Sequence, residues 1–506
     1  MLTRLKVDGF KNLVGVDVRF GPFTCIAGEN GTGKSNLFDA IRFLSRLAAG
    51  KTLLEAANLV RDEAGRSGDA RGLFHRVGKC TSSRMSFELE MIVPPEAVDD
   101  LGQRGVASTT FLRYRLELGL RPSPEQGGQG HPLEILREEL AHINLGEARE
   151  HLLFPHDAKH WRKAVVSGRR GAALISTESS EDGGEPQRLI KMHQDGLSGR
   201  PRGFLAGPLP RTVLSSAQAA ESPTALCARR EMEGWQVFQL EPAAMRRPDD
   251  FEAEARLRPD GGHLAATLAR LVEPRTPKPV PAPAAAELSS AGAGAPAEGI
   301  PIGPLIANRL AELVGDAREI RVDRDEKRQV YTVFLKTSDG TEFPARSLSD
   351  GTLRVLALAA MEWDDETPGV ICLEEPENGI HPERVRAIVM LLQAMAVDPR
   401  GMADTTNPLR QVIVNTHSPS VVGAVPRDCL LLARSIRSLA GAAVAPPVEF
   451  VPLPNTWRTH ADSQVRPIAP GELLGYLDPM ANARKGEMGP DETAVVRQPE
   501  FPFLNP

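Results

Sequence analysis

Apolar residues at the start of the chain recur on alternate positions: Leu5 and Val7 after Leu2, then, beyond a break at Gly9, Val14, Val16, Val18 and Phe20. Side chains of a strand point to opposite faces in turn, so this spacing predicts two strands joined by a turn. A short apolar strand over Phe23–Ala27 follows and runs into a glycine-rich loop. Beyond the loop, Leu37, Ile41, Leu44 and Leu47 fall on one face of a helix. Met85, Phe87, Leu89 and Met91 alternate again, as do Leu112, Tyr114, Leu116 and Leu118; with residues 133–140 they predict an antiparallel meander over 84–140. Periodicity is weak over 141–215, whose fold the pattern leaves open, and helical spacing returns at 219–235 and 262–272. Residues 304–314 read as a helix, and 319–343 as two or three strands with a turn at Ser338, Asp339 and Gly340. Helix (351–363), apolar strand (369–373), helix (383–396) and apolar strand (411–416) then alternate, an order that predicts a parallel sheet.

Composition divides this string of elements. Residues 274–300 are rich in Pro, Ala and Gly with few large apolar side chains, which is the composition of a flexible linker. The expected organisation is a first half over 1–140, an α-rich insertion over 141–273, the linker, a second half over 301–430 and a C-terminal extension over 431–506 that is open to a partner. A chain of 506 residues has room for two or three domains, and no repeat or heptad pattern points to a coiled coil. No apolar run is long enough to span a bilayer, and the N-terminus lacks the apolar stretch of a secretory signal, so cytoplasmic residence and no membrane partner are expected. Cys25, Cys80, Cys227, Cys372 and Cys429 form no CxxC pair and read as reduced thiols. A net charge of -6 gives the chain as a whole no pull toward nucleic acid, so DNA binding would need a local patch.

Four stretches carry candidate chemistry. Residues 28–35 (GENGTGKS) match G-x-x-x-x-G-K-[ST] between a strand and a helix, so backbone amides of Asn30, Gly31, Thr32, Gly33 and Asn36 can face phosphate oxygens at the positive end of the helix. Lys34 then reaches the β- and γ-phosphates of ATP, and Ser35 offers its hydroxyl to Mg2+. A buried strand at 370–373 ends in Glu374 and Glu375; paired acids there are costly without a cation or a water to activate, which assigns Glu374 to the Mg2+ shell and Glu375 to general base. Residues 347–354 (SLSDGTLR) start a well-capped helix, and Ser349, Asp350 and Gly351 could clamp a γ-phosphate held by a second copy. His417 stands at the end of strand 411–416, where ligands of parallel sheets bind, and its imidazole can sense the γ-phosphate.

Together these residues resemble the ABC-type ATPases of the RecF, SMC and OLD-like group, and more closely the bacterial AAA-type RecF-like ATPases of antiphage defence and DNA repair loci. The resemblance covers 1–45 and 320–425, with a weaker segment at 257–271. It implies a P-loop α/β fold of ABC-ATPase type with a mostly parallel core and an antiparallel β subdomain. It also implies a head-to-tail homodimer or larger homo-oligomer, a D-loop at Asn378, Gly379 and His381, and a base or ribose contact from Lys11 and Asn12. Glu374 stands where Asp is commoner and Asp350 where transporters carry Gly; Gln103, Gln187 and Gln194 are all candidates for the Q-loop. No D-x-D follows His417, so a TOPRIM nuclease is not expected within the chain, and a separate nuclease or toxin would be the effector. The alternatives are a low-turnover scaffold that cages an effector, a RecF-like repair ATPase with no defence role, and a transporter subunit, which the long insertion disfavours.

Two weaker signals complete the reading. Lys159, Arg162, Lys163, Arg169 and Arg170 form the densest basic run and are the candidate DNA-backbone contact. His151, His156 and His160 include an i, i+4 pair, but without a Cys or clear carboxylate partner a solvated surface is the expectation.

Overall fold

The computed structural model describes residues 1–60, 70–78, 80–121, 133–168, 171–180, 187–195, 200–272, 302–367, 369–436, 446–461 and 465–477. The expected linker and the basic residues Arg169 and Arg170 lie outside the described residues. Internal contacts divide the chain into two units, Met1–Val237 with Pro368–Pro376 and Leu392–Pro506, and Phe238–Thr367 with Glu377–Leu391.

The first unit holds an antiparallel sheet in the order Arg202–Leu205, Gln187–Met192, Ile175–Ser180, Leu133–His142, Phe111–Leu120, Arg84–Ile92, Leu2–Asp8, Val16–Arg19. Its register carries one apolar row across six strands, with Leu5 opposite Leu89, Leu89 opposite Tyr114, Tyr114 opposite Leu140, Leu140 opposite Ile175 and Ile175 opposite Met192. Every member of that row is buried. The P-loop helix Lys34–Ala48 lays Leu37, Ile41, Leu44 and Leu47 in the same core. There Phe10, Phe43 and Phe87 meet with ring centroids 5.5 to 6.0 Å apart, which fastens the turn after the first strand to the helix.

A second sheet places Val370–Glu374, Gln411–Thr416, Phe23–Ala27 and Leu430–Ser435 side by side and parallel, with Val448–Pro452 antiparallel at the edge. Within 431–506, expected as an extension, the strands Leu430–Ser435 and Val448–Pro452 are thus part of the central sheet. Gln411 ties the two sheets. Its Oε1 accepts from Leu2 N at 2.9 Å, and its Nε2 donates to Leu2 O and Gly21 O, each at 2.8 Å. Removing that buried amide would leave three backbone groups without this partner.

The open stretch at 141–215 supplies three strands of the antiparallel sheet. Its end is held by Glu138, whose buried carboxylate accepts from Val213 N at 2.7 Å, Leu214 N at 2.8 Å and the Tyr114 hydroxyl at 3.1 Å. Burial pushes the Glu138 carboxyl up to about 7, against those hydrogen bonds, which favour the charged form. A carboxyl that binds its proton more tightly folded than unfolded adds stability at low pH, and that contribution is lost as pH rises toward and through about 7. Glu138→Gln keeps an acceptor for the two amides and cannot ionise. It is expected to unfold at nearly the same temperature at pH 5.5 and 8, while the wild type loses on the order of 2 kcal/mol over that range. Equal pH dependence in the two proteins would show that Glu138 is not the titrating group.

The second unit is a hairpin, Ala317–Asp325 with Val330–Thr337, flanked by Glu342–Pro344 and Asp249–Asp250 and packed on the helices Leu264–Val272, Ile302–Val314 and Asp350–Trp363. Arg309 clamps the second of these helices to the third, its Nε donating to Glu362 Oε2 at 2.9 Å. No helix among the described residues is long and apolar enough to cross a membrane. The cysteines form no disulfide, with Cys25, Cys227 and Cys372 buried, Cys429 half-buried and Cys80 exposed.

Candidate nucleotide site

The strand Phe23–Ala27 is apolar and buried along its whole length, and the loop that leaves it turns directly into the helix starting at Lys34. Gly33 has φ 99°, and a Cβ there would lie 2.3 Å from Asn12 Nδ2, so only glycine fits. Asn12 braces the loop from beneath: its Nδ2 donates to Thr32 O and Pro446 O, each at 3.2 Å, and its Oδ1 accepts from Asn36 Nδ2 at 2.8 Å. Thr32 Oγ1 closes the loop on Glu29 O at 2.9 Å. Lys34 is buried, and its Nζ donates to Gly28 O at 2.7 Å and Glu29 O at 2.8 Å. Asn30 and Gly31 are exposed while Ser35 and Asn36 are half-buried, so the loop presents its rim at the start of the helix, the arrangement that suits a phosphate.

Lys11 and Asn12, expected at the base or ribose, lie beside the loop and its helix. Lys11 has φ 49°, and its Nζ pairs with Asp39 Oδ2 of the P-loop helix at 2.8 Å. Asn12 is buried, and its side-chain amide is hydrogen-bonded under the loop.

The carboxylates and the histidine meet at the same end of the sheet. In register, Glu374 is opposite Asn415 and Thr416 is opposite Ala27, so the strand ends carrying Glu374, His417 and the P-loop are consecutive neighbours. At about 4.8 Å per strand the acids stand on the order of 10 Å from the loop. Glu375 has φ 46°, a left-handed conformation that costs a non-glycine residue on the order of 1–3 kcal/mol. Its N–H is held by Asn415 O at 3.0 Å and Asn415 Oδ1 at 3.1 Å, and its Oε1 lies 2.7 Å from His417 Nδ1. With side-chain exposures of 33% and 39%, the Glu375–His417 pair stabilises the fold little, so the strain is spent on aiming the carboxylate. Asn415 was not singled out in the sequence, although a buried Asn in the otherwise apolar run of Gln411–Thr416 is a signal of such a role.

Within the second unit, Ser349 caps the helix Asp350–Trp363, its Oγ accepting from Thr352 N at 3.1 Å. A Cβ on Gly351 would lie 2.5 Å from Gly379 O, so the signature helix begins in direct contact with the D-loop segment. Arg354 reinforces this contact by donating to Asn378 O and, through Nε, to Leu240 O at 3.3 Å. Arg246 binds Asp350. Neither arginine was singled out in the sequence, because both act across large separations along the chain. His381 is exposed and lies 3.7 Å from the exposed Glu383.

Lys159 and Lys163 are exposed and Arg162 half-buried, on and before the short helix Trp161–Val165. Asp157 sits among them, its Oδ1 accepting from Lys159 N and His160 N at 2.7 Å each. The bond from the His160 backbone, more than any other contact, holds its carboxyl at about 2, so the basic run carries a fixed negative charge. His151 lies 2.9 Å from Glu90, His156 bonds Phe154 O at 2.8 Å, and His160 lies 3.2 Å from Asp157. No group of three metal-ligating side chains occurs among the described residues.

Comparison with known proteins adds the following. Residues 231–423 match the family described as AAA domain, putative AbiEii toxin, Type IV TA system, and residues 4–45 match an AAA domain. Over these residues the chain resembles ATPases of the RecF/SMC-like, ABC type. The match at 4–45 covers the glycine-rich loop at 28–35, and the match at 231–423 covers Ser349, the paired carboxylates Glu374 and Glu375, and His417. The DNA replication and repair protein RecF from two strains of Porphyromonas gingivalis is 44% identical over 46 residues, which are 9% of this chain and 13% of the length of those relatives. Among solved structures, an SmcHead bound to the C-winged helix domain of ScpA covers 89% of this chain and 98% of its own, at 14% identity and a TM-score of 0.43. The SMC head domain from Thermotoga maritima gives 11% identity and a TM-score of 0.35 over 89% of this chain and 98% of that one.

Proposed function

We propose that the head binds ATP with Mg2+ and hydrolyses it, in a head-to-tail homodimer or larger homo-oligomer. We further propose that it works in the cytoplasm as a sensor or clamp in antiphage defence or DNA repair, through a separate nuclease or toxin. The observation that carries the hydrolytic reading is the Glu375–His417 contact at 2.7 Å, at the same sheet end as the phosphate loop. Bound Mg-ATP would supply the phosphoryl group and the cation that offsets its charge. The amides of Gly31 to Asn36 would receive the phosphates, and Lys34 would exchange the carbonyls of Gly28 and Glu29 for phosphate oxygens. Ser35 and Glu374 would hold the metal. Glu375 would take the proton of the attacking water, with His417 fixing the carboxylate. Ser349, Asp350 and Gly351 would serve the nucleotide of the partner copy, with Asn378, Gly379 and His381 beside them.

The wider role rests on other support. RecF of Porphyromonas gingivalis is named a DNA replication and repair protein, and the family matched at 231–423 is described through a putative toxin of a type IV toxin–antitoxin system. The exposed Lys159 and Lys163, with Arg162, Arg169 and Arg170, are the proposed DNA contact. Phosphate release is expected from the wild type with Mg-ATP, at a rate that rises when DNA is added. Tight ATP binding without turnover in either condition would replace this reading with the scaffold that cages its effector.

A further inference from the structure

Asp350 is an unexpected residue for the task assigned to its loop. The first turn of a helix attracts an anion through its free amides and dipole, and a carboxylate fixed beside them repels the phosphate that the loop is meant to receive. The structure shows what offsets that charge. Arg246 ends the short helix Pro242–Met245 and reaches the signature loop, where its Nη2 donates to Leu348 O at 3.0 Å and to Asp350 Oδ1. These two acceptors flank Ser349, so one guanidinium fixes the chain on both sides of the proposed phosphate-clamping hydroxyl.

The side-chain exposures of 30% for Arg246 and 54% for Asp350 place the pair near the surface, where an ion pair contributes little to folding. The opposite side of the loop is already set by the close packing of Gly351 on Gly379 and by the Arg354 bond to Asn378 O. The fold therefore has other means of holding the helix start, and the Arg246 contact is directed at the charge of Asp350 and the carbonyl of Leu348.

We propose that Arg246 is a positioning residue of the signature loop: it neutralises Asp350 and holds the Leu348 carbonyl so that Ser349 can receive the γ-phosphate bound by a partner copy. The inference rests on the ATP-gated pairing of heads proposed above. Without Arg246, the free carboxylate of Asp350 faces the triphosphate and opposes pairing, while binding at Lys34 in the same chain is untouched. Removing the carboxylate as well relieves the repulsion, a result that a merely structural role for Arg246 does not produce.

The test uses the Glu375→Gln background, in which ATP is retained, and follows assembly with Mg-ATP by sedimentation velocity alongside binding of a fluorescent ATP analogue. Arg246→Ala is expected to weaken ATP-dependent assembly on the order of tenfold or more, the scale of a charge-assisted contact, with unchanged analogue affinity. Arg246→Ala with Asp350→Asn is expected to regain most of it. Assembly unaffected by Arg246→Ala while the background protein still assembles overturns the inference and leaves the pairing intact. Loss that Asp350→Asn does not repair overturns it also, and makes Arg246 a structural residue. A background protein that never assembles with ATP removes the pairing itself, and the inference with it.

Discussion

Lys34→Ala is expected to bind ATP at least about a hundredfold more weakly than the wild type, the loss appropriate to removing a fixed cation from a triphosphate. Lys34 is buried at the first position of its helix, between the loop carbonyls of Gly28 and Glu29. Lys11, a second cation beside the start of this helix, is paired with Asp39. The substitution also removes two hydrogen bonds that hold the loop, so a loop that unfolds locally must be separated from a loop that lacks the charge. Lys34→Met, which preserves the apolar stem, makes this distinction: it is expected to melt within a few degrees of the wild type and still fail to bind. Calorimetric titration with Mg-ATP checks both variants, and wild-type affinity in either would remove the phosphate loop from residues 28–36.

The parts of this site that could be read from sequence are those whose physics is local. The strands Phe23–Ala27 and Gln411–Thr416 are buried on both faces in the middle of a parallel sheet, so their apolar runs are unbroken and their ends sharp. The strands Ile175–Ser180, Gln187–Met192 and Arg202–Leu205 lie toward the edge of the antiparallel sheet, half-exposed, and show no clear alternation. The short hairpin of Glu96–Val98 with Arg104–Val106 was missed for the same reason, since five of its six residues are exposed or half-exposed. Motif spacing located Lys34, Glu375 and His417. It could not locate their supports. Asn12 under the loop, Asn415 behind Glu375 and Arg246 on Asp350 act at separations of 20, 40 and 104 residues. Asn12 is the instructive case, because its hydrogen bonds to Thr32 O and Asn36 Nδ2 join residues that no local pattern connects.

Glu375→Gln is expected to bind ATP as the wild type does and to lose hydrolysis by on the order of a hundredfold or more, the share usually carried by a positioned general base. The amide preserves the size of the side chain, and the backbone N–H of residue 375 remains bonded to Asn415, so the left-handed turn at φ 46° survives. What disappears is the carboxylate that bonds His417 and that is proposed to accept a proton from water. ATP that is bound and not cleaved is retained, and a nucleotide shared between two copies then holds them together by mass action. Light scattering is therefore expected to show a larger species with Mg-ATP than without it. Ser349→Arg in the same protein, which puts bulk and charge at the clamping hydroxyl, is expected to abolish the larger species while leaving nucleotide binding at Lys34 in place. Hydrolysis at the wild-type rate would take Glu375 out of the base role. A single unchanged size with and without ATP would leave the base role standing and replace the ATP-gated pair with a scaffold of constant assembly.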